Sequence, residues 1–208
     1  TAGKVNITQL LEARQLKLDR ILPYARILLE KALSPGDYAI DATAGNGHDT
    51  LFLTRLVGNE GHVFAFDVQE EAIQQTKKRL VENNAEHRAT LFLQSHDQLI
   101  NVLPEDCKGK ITAAVFNLGY LPGGDKSIVT EAVSTISAIE QLLELMAIEG
   151  IIVLVVYHGH PEGAIEKDAL MSYVTSLPQD KAHVLHYGFK NKKLKSLKGK
   201  RKNCCNDR

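Results

Sequence analysis

The chain has 208 residues, 44% of them hydrophobic and 24% charged, and its 25 Lys or Arg are balanced by 25 Asp or Glu. That length suits one domain with a continuous core, and the composition excludes a membrane-embedded class and extensive disorder. The longest apolar stretch, Ile151 to Tyr157, is far too short for a bilayer, and the N-terminus lacks an uninterrupted hydrophobic signal, so a cytoplasmic protein is expected.

Ile7 to Leu33 carries apolar residues at helical spacing, and Pro23 is expected to break or kink the segment, so two helices precede the first strand. Pro35-Gly36 ends the second helix. Tyr38 to Ala42 is a short apolar run leading into a glycine-bearing turn and a helix. The pattern then alternates through strands at 62–67, 89–93, 113–117, 151–157 and 183–189. Helices are expected between them at about 70–84, 98–103, 127–147 and 163–176. Apolar strands separated by amphipathic helices predict an α/β fold, a doubly wound and mostly parallel sheet covered on both faces. Residues 1–189 read as one domain, with 1–36 as N-terminal helices and 37–189 as a Rossmann-like core.

From Gly188 onward nine Lys or Arg face one acid, Asp207, which leaves the rest of the chain at −8. Residues 190–208 are expected to be a disordered basic tail, either an RNA-gripping extension or a solvated charge run. Cys107, Cys204 and Cys205 have neither a disulfide framework nor metal-ligand spacing and read as reduced thiols.

In such a sheet ligands sit beyond the carboxyl ends of the strands, where strand order reverses. There the chain reads Asp41-Ala-Thr-Ala-Gly45-Asn-Gly47-His48, and the glycines allow a tight turn and a close backbone approach. The third glycine of a dinucleotide fingerprint is missing, which weakens a pyrophosphate reading. Asp67 ends the next strand, where a carboxylate can accept hydrogen bonds from both hydroxyls of a ribose. Asp97 follows the third strand, where an acid can hold an adenine amino group. Each of these three acids can instead cap the helix after it.

The fourth strand ends Asn117-Leu-Gly-Tyr-Leu-Pro-Gly-Gly124. The Asn117 amide oxygen can accept from a substrate amine and aim its lone pair, while Tyr120 stacks on a flat base. The competing reading is a turn in which Asn117 satisfies local backbone and Tyr120 fills core. The fifth strand delivers His158 and His160 to the same rim, as candidate proton acceptors or as loop-bonding residues; without a third ligand nearby no metal is expected. Asp125 and Lys126 are weaker substrate candidates.

The runs Asp41–Thr50, Phe66-Asp-Val-Gln69, Asn117–Lys126 and Tyr157-His-Gly-His-Pro161, taken together and in order, resemble the bacterial rRNA methylase family of class I S-adenosylmethionine-dependent methyltransferases. Characterised members methylate the aminomethyl group of 5-aminomethyl-2-thiouridine at the tRNA wobble position. The resemblance covers about residues 7–189. It implies S-adenosylmethionine as cofactor, a tRNA partner engaged at the anticodon region, and Asn117 and Tyr120 in the place of an Asn-Pro-Pro-Tyr motif, with Leu118-Gly119 replacing the prolines. The candidate cofactor set is Asp41, Thr43, Gly45, Asn46, Gly47, Asp49, Asp67, Gln69, His96, Asp97 and Asn117; the candidate catalytic set is Asn117, Tyr120, His158 and His160. Methylation of rRNA or of a small amine, and a non-catalytic nucleotide- or RNA-binding module, stand as alternatives. The apolar N-terminal helices can cap the substrate side or form a homodimer.

Overall fold

The computed structural model describes residues 18–119, 131–157 and 161–189. A first helix, α1 (Ile21–Ala32), precedes the sheet. It starts two residues ahead of Pro23, so the proline neither breaks nor kinks it. Pro23 lies in the first turn, where backbone N–H groups have no intrahelical acceptor to lose. The other expected N-terminal helix lies outside the described residues.

Among the described residues five strands follow: β1 (Tyr38–Asp41), β2 (His62–Asp67), β3 (Ala89–Leu93), β4 (Ile111–Leu118) and β5 (Met146–Val156). They are all parallel and ordered β3-β2-β1-β4-β5. The crossovers are α2 (His48–Val57), α3 (Glu70–Glu82), the single turn α4 (Leu99–Val102) and α5 (Ala132–Leu145); α6 (Pro161–Ser176) follows β5. Because successive strand residues point to opposite faces, odd and even positions build separate cores. Ala39, Val63, Ala113, Val115, Val153 and Val155 pack with Leu29 of α1 and with Leu53 and Val57 of α2. Ile40, Phe64, Phe66, Ala114 and Phe116 pack instead with Leu99, Leu142 of α5 and Leu170 of α6. Both faces are covered, as expected of a parallel sheet.

The largest boundary difference lies between α5 and β5. α5 stops at Leu145 and the chain enters β5 at once, five residues before the predicted strand. The register skips from Ile111↔Met146 to Ala113↔Ile151, and the extra residues bulge out with Glu149 at φ 68 and Ile148 almost fully exposed. A bulge of this kind has no periodic signature.

The strand predicted at 183–189 does not form; residues 182–189 have no regular structure. A strand needs a ladder partner, and this segment is held by side chains instead. Tyr187 stacks on Tyr24 of α1 with ring centroids 4.1 Å apart, and its hydroxyl donates to the Asp19 carbonyl at 2.7 Å. Val184 and Leu185 are left exposed. The basic segment 190–208 lies outside the described residues. Among the described residues no helix is long and apolar enough to cross a membrane.

Candidate cofactor and substrate site

Strand order reverses between β1 and β4, so the crevice lies beyond the carboxyl ends of these two strands. β1 ends on Asp41, which is fully buried. Its Oδ1 accepts from the Thr43 N–H at 3.1 Å and its Oδ2 from the Thr50 hydroxyl at 2.6 Å. Both oxygens therefore hold the turn and the first coil of α2 in place from beneath. Burial, reinforced by Asp49 and weakly by Asp67, pushes the Asp41 carboxyl up to about 7 against the lowering effect of these two hydrogen bonds.

The turn is shaped by its glycines. Gly45 has φ 53 and Gly47 φ 75, the left-handed region that disfavours side chains. A Cβ on Gly47 would come within 2.8 Å of the Thr76 Cα, so α3 packs directly on the turn's backbone. α3 also fastens it: the Thr76 hydroxyl donates to the Gly45 carbonyl at 3.1 Å and Arg79 Nε to the Asn46 carbonyl at 2.6 Å.

Asp67, at the end of β2, faces this turn. It accepts from the Gly45 N–H at 2.9 Å with one oxygen and from the Gln69 N–H at 2.9 Å with the other. A carboxylate has about four acceptor positions, so both oxygens keep a lone pair for ligand hydroxyls. Asp97 lies in a 3₁₀ turn (His96–Gln98) after β3. Gln141 of α5 clasps that turn, donating to the Asp97 carbonyl at 2.6 Å and accepting from the Ile100 N–H at 2.9 Å. His96 is buried, and its Nδ1 donates to the Ala42 carbonyl at 3.0 Å, which places the ring proton on Nδ1. Burial lowers its basicity, and the buried Nε2 has no protein partner among the described residues.

Asn117 closes the other side. Its backbone N–H donates to the Thr43 hydroxyl at 2.7 Å, tying β4 to the turn after β1. Its side-chain Nδ2 donates to Asp49 Oδ2, a bond that fixes the amide's orientation because a carboxylate only accepts. The amide Oδ1 is then left buried without a partner among the described residues. Asp49, in the first turn of α2, also pairs through Oδ1 with Arg26 of α1 at 3.4 Å. Next along the chain, Gly119 has φ 152, which a proline ring cannot adopt. This rim therefore differs in backbone from an Asn-Pro-Pro-Tyr turn, and the Leu118 carbonyl beside Asn117 accepts the Tyr157 N–H at 3.2 Å.

The structure thus gathers Thr43, Gly45, Asn46, Gly47, Asp49, Asp67, Gln69, Asp97 and Asn117 around the crevice, with Asp41 and His96 as supports beneath it. Tyr120, Asp125, Lys126, His158 and His160 lie outside the described residues. Three residues were not anticipated. Tyr157 is half-exposed at the rim, and burial followed by the Asp49 charge raises its phenol. Gln141 and Arg79 are helix residues that hold the loops after β3 and β1. Tyr157 opens the Tyr-His-Gly-His-Pro run and had a signal; nothing local marks Gln141 or Arg79.

Asp41, Asp49 and Asp67 converge on one turn. The charges of Asp49 and Asp67 repel a pyrophosphate and attract a cation, and the Asn117 oxygen, without a partner among the described residues, asks for a donor. A ligand with a ribose, an amino group and a positive charge fits these residues; S-adenosylmethionine has all three.

The comparisons with known proteins point to the same cofactor. Residues 63–198 match the family model described as "Putative rRNA methylase", a match that continues into the basic segment. A tRNA (mnm(5)s(2)U34)-methyltransferase of Arabidopsis thaliana, a chloroplastic protein, is 38% identical over 162 residues, covering 74% of this chain and 58% of its own length. The chain therefore spans little more than half of that curated relative. The crystal structure of a "putative rRNA-methylase" from Clostridium thermocellum is 37% identical and superposes with a TM-score of 0.82, covering 86% of this chain and 94% of that one. A "putative methyltransferase" from Streptococcus mutans, solved with SAH, is also 37% identical, with a TM-score of 0.69 over 78% of this chain and 85% of that one. With the family model covering well over half of its length, the chain belongs to the rRNA methylase family of S-adenosylmethionine-dependent methyltransferases.

Proposed function

We propose that this chain methylates the exocyclic amine of 5-aminomethyl-2-thiouridine at the wobble position of tRNA. The observation that carries the reading is the Asn117 amide oxygen, buried, without a partner among the described residues and held in orientation by Asp49. The similarity to the tRNA methyltransferase of A. thaliana supports the choice of substrate.

When bound, S-adenosylmethionine supplies an electrophilic methyl group. The glycine turn and the Asp67 carboxylate would hold its adenosyl part, Asp97 its adenine edge, and the acidic cluster its positive charge. Asn117 Oδ1 accepts an N–H from the substrate amine and so turns the nitrogen lone pair toward the methyl carbon. Alignment of this kind supplies rate without covalent involvement of the protein. The amine must shed a proton, and His158 and His160, which follow Tyr157 at the end of β5, are the proposed acceptors, with Tyr120 stacking on the base. A cytoplasmic setting and a homodimer belong to the same proposal.

The test is direct. Purified protein is incubated with S-adenosylmethionine and tRNA carrying the aminomethyl group, and the nucleosides are analysed by mass spectrometry. The methylaminomethyl nucleoside should accumulate; an unchanged profile refutes the assignment. A parallel incubation with unmodified rRNA, methylated in its place, would transfer the activity to that substrate.

A further inference from the structure

Outside the crevice, α1, α2 and α3 enclose a groove of about 300 Å³ lined by Arg26, His48, Phe52, Arg55, Arg79 and Asn83. Three guanidinium groups from three helices converge there on a body that is otherwise acidic: residues 1–187 carry −8. Among the described residues, neither Arg55 nor Arg79 has a carboxylate counter-ion. Arg55 donates to Asn83 Oδ1 at 3.1 Å, and Arg79 donates to the Asn46 carbonyl and, at 3.2 Å, to His48 Nε2, all neutral acceptors. Arg26 keeps one long pair to Asp49 and lies over the Phe52 ring, 5.0 Å from its centre.

Like charges that converge without counter-ions repel one another, and an anion placed among them removes that cost. Planar guanidiniums match phosphate oxygens two at a time. His48 and Arg55 stand seven residues apart on α2, a rise of about 10 Å, so the groove is longer than one phosphate group. It also abuts the cofactor turn, since Arg79 grips Asn46 and His48 directly follows Gly47.

We propose that this groove binds the phosphodiester backbone of the RNA substrate, seating successive phosphates so that a neighbouring nucleotide reaches the crevice. The inference rests on the RNA-methylating reading above and adds to it the surface that holds the strand.

Arg55 is the residue to test, being exposed and bonded to Asn83 rather than to the turn after β1. Fluorescence anisotropy of the full chain with a labelled anticodon stem-loop RNA compares the parent with Arg55→Glu, Arg55→Gln and a control reversal, Lys108→Glu, in the turn before β4. Arg55→Glu should weaken RNA binding about tenfold, Arg55→Gln by less, and both should make the dependence of log K on log salt shallower by about one. Affinity for S-adenosylhomocysteine, measured by calorimetry, should stay at the parent value. Equal losses in Arg55→Glu and Lys108→Glu would reduce the effect to overall charge and overturn the proposal, as would a variant that binds RNA like the parent. Inorganic phosphate is titrated at fixed ionic strength in a further arm. Binding that Arg55→Glu abolishes, with RNA affinity unaltered, would assign the groove to free phosphate and overturn it too. A parent protein that methylates a small amine but binds no RNA refutes the RNA reading itself; one that methylates RNA irrespective of residue 55 refutes the groove alone.

Discussion

Asp41→Asn should abolish a large pH dependence of stability that the parent carries. In the native state burial, with Asp49 and Asp67 adding repulsion, raises the Asp41 carboxyl from 3.8 to about 7. The unfolded chain releases this proton near 3.8. Between those values the native state holds more protons, so this contribution is fully present below 3.8 and is lost as pH rises through 7. Lowering the pH from 8 to 5 crosses two pH units below 7, each worth about 1.36 kcal/mol, and should stabilise the parent by about 3 kcal/mol through this group. An Asn at this position still accepts from the Thr43 N–H and can donate to the Thr50 hydroxyl, but it cannot ionise. Urea denaturation of both proteins without cofactor, at pH 5, 6, 7 and 8, gives the parent-minus-variant difference at each pH. His96, whose basicity burial lowers, acts in the opposite direction below its ordinary value of 6.5, but it is common to both proteins and cancels. The parent should gain on the variant as the pH falls; a difference flat to within about 0.5 kcal/mol, the scatter expected of independent sites, would refute the account of Asp41.

Asn117→Ala should lower kcat by about two orders of magnitude while leaving the affinity for S-adenosylhomocysteine within a factor of a few, as steady-state kinetics and calorimetry would show. Gly47→Ala forces a Cβ against the Thr76 Cα in a left-handed conformation that itself costs about 1–2 kcal/mol, so cofactor affinity should fall at least about tenfold and Tm should drop. Gln141→Leu removes the clasp on the 96–100 turn and leaves two partly solvated backbone groups to water, at about 1 kcal/mol; calorimetry should show weaker cofactor binding, with kcat at saturation largely retained.

The legible parts of the fold were those written in local chemistry. Alternation of apolar runs with helical stripes located the five parallel strands, and the strand-ending acids with the Gly-x-Gly turn located the crevice. Asn117 stands out as a candidate because its position at the end of a buried strand is itself a local signal. What escaped is nonlocal. Asp49 grips an amide 68 residues away, Arg79 a carbonyl 33 residues away and Gln141 a carbonyl 44 residues away; no spacing along the chain announces such contacts. The supporting role of Asp41 followed from its complete burial, which a motif does not record. The failed strand at 183–189 has the same origin: apolar content invited a ladder, but Tyr24, on a distant helix, offered a stacking partner instead.

The Asp49 carboxylate answers to two claimants, a guanidinium on the outer helix and an amide at the rim of the crevice. Because one carboxylate serves both, α1 works as a tuning peg: a change at position 26 should alter how tightly the amide of Asn117 is steadied. A side chain well away from the glycine turn thereby reaches the group on which the proposed alignment depends.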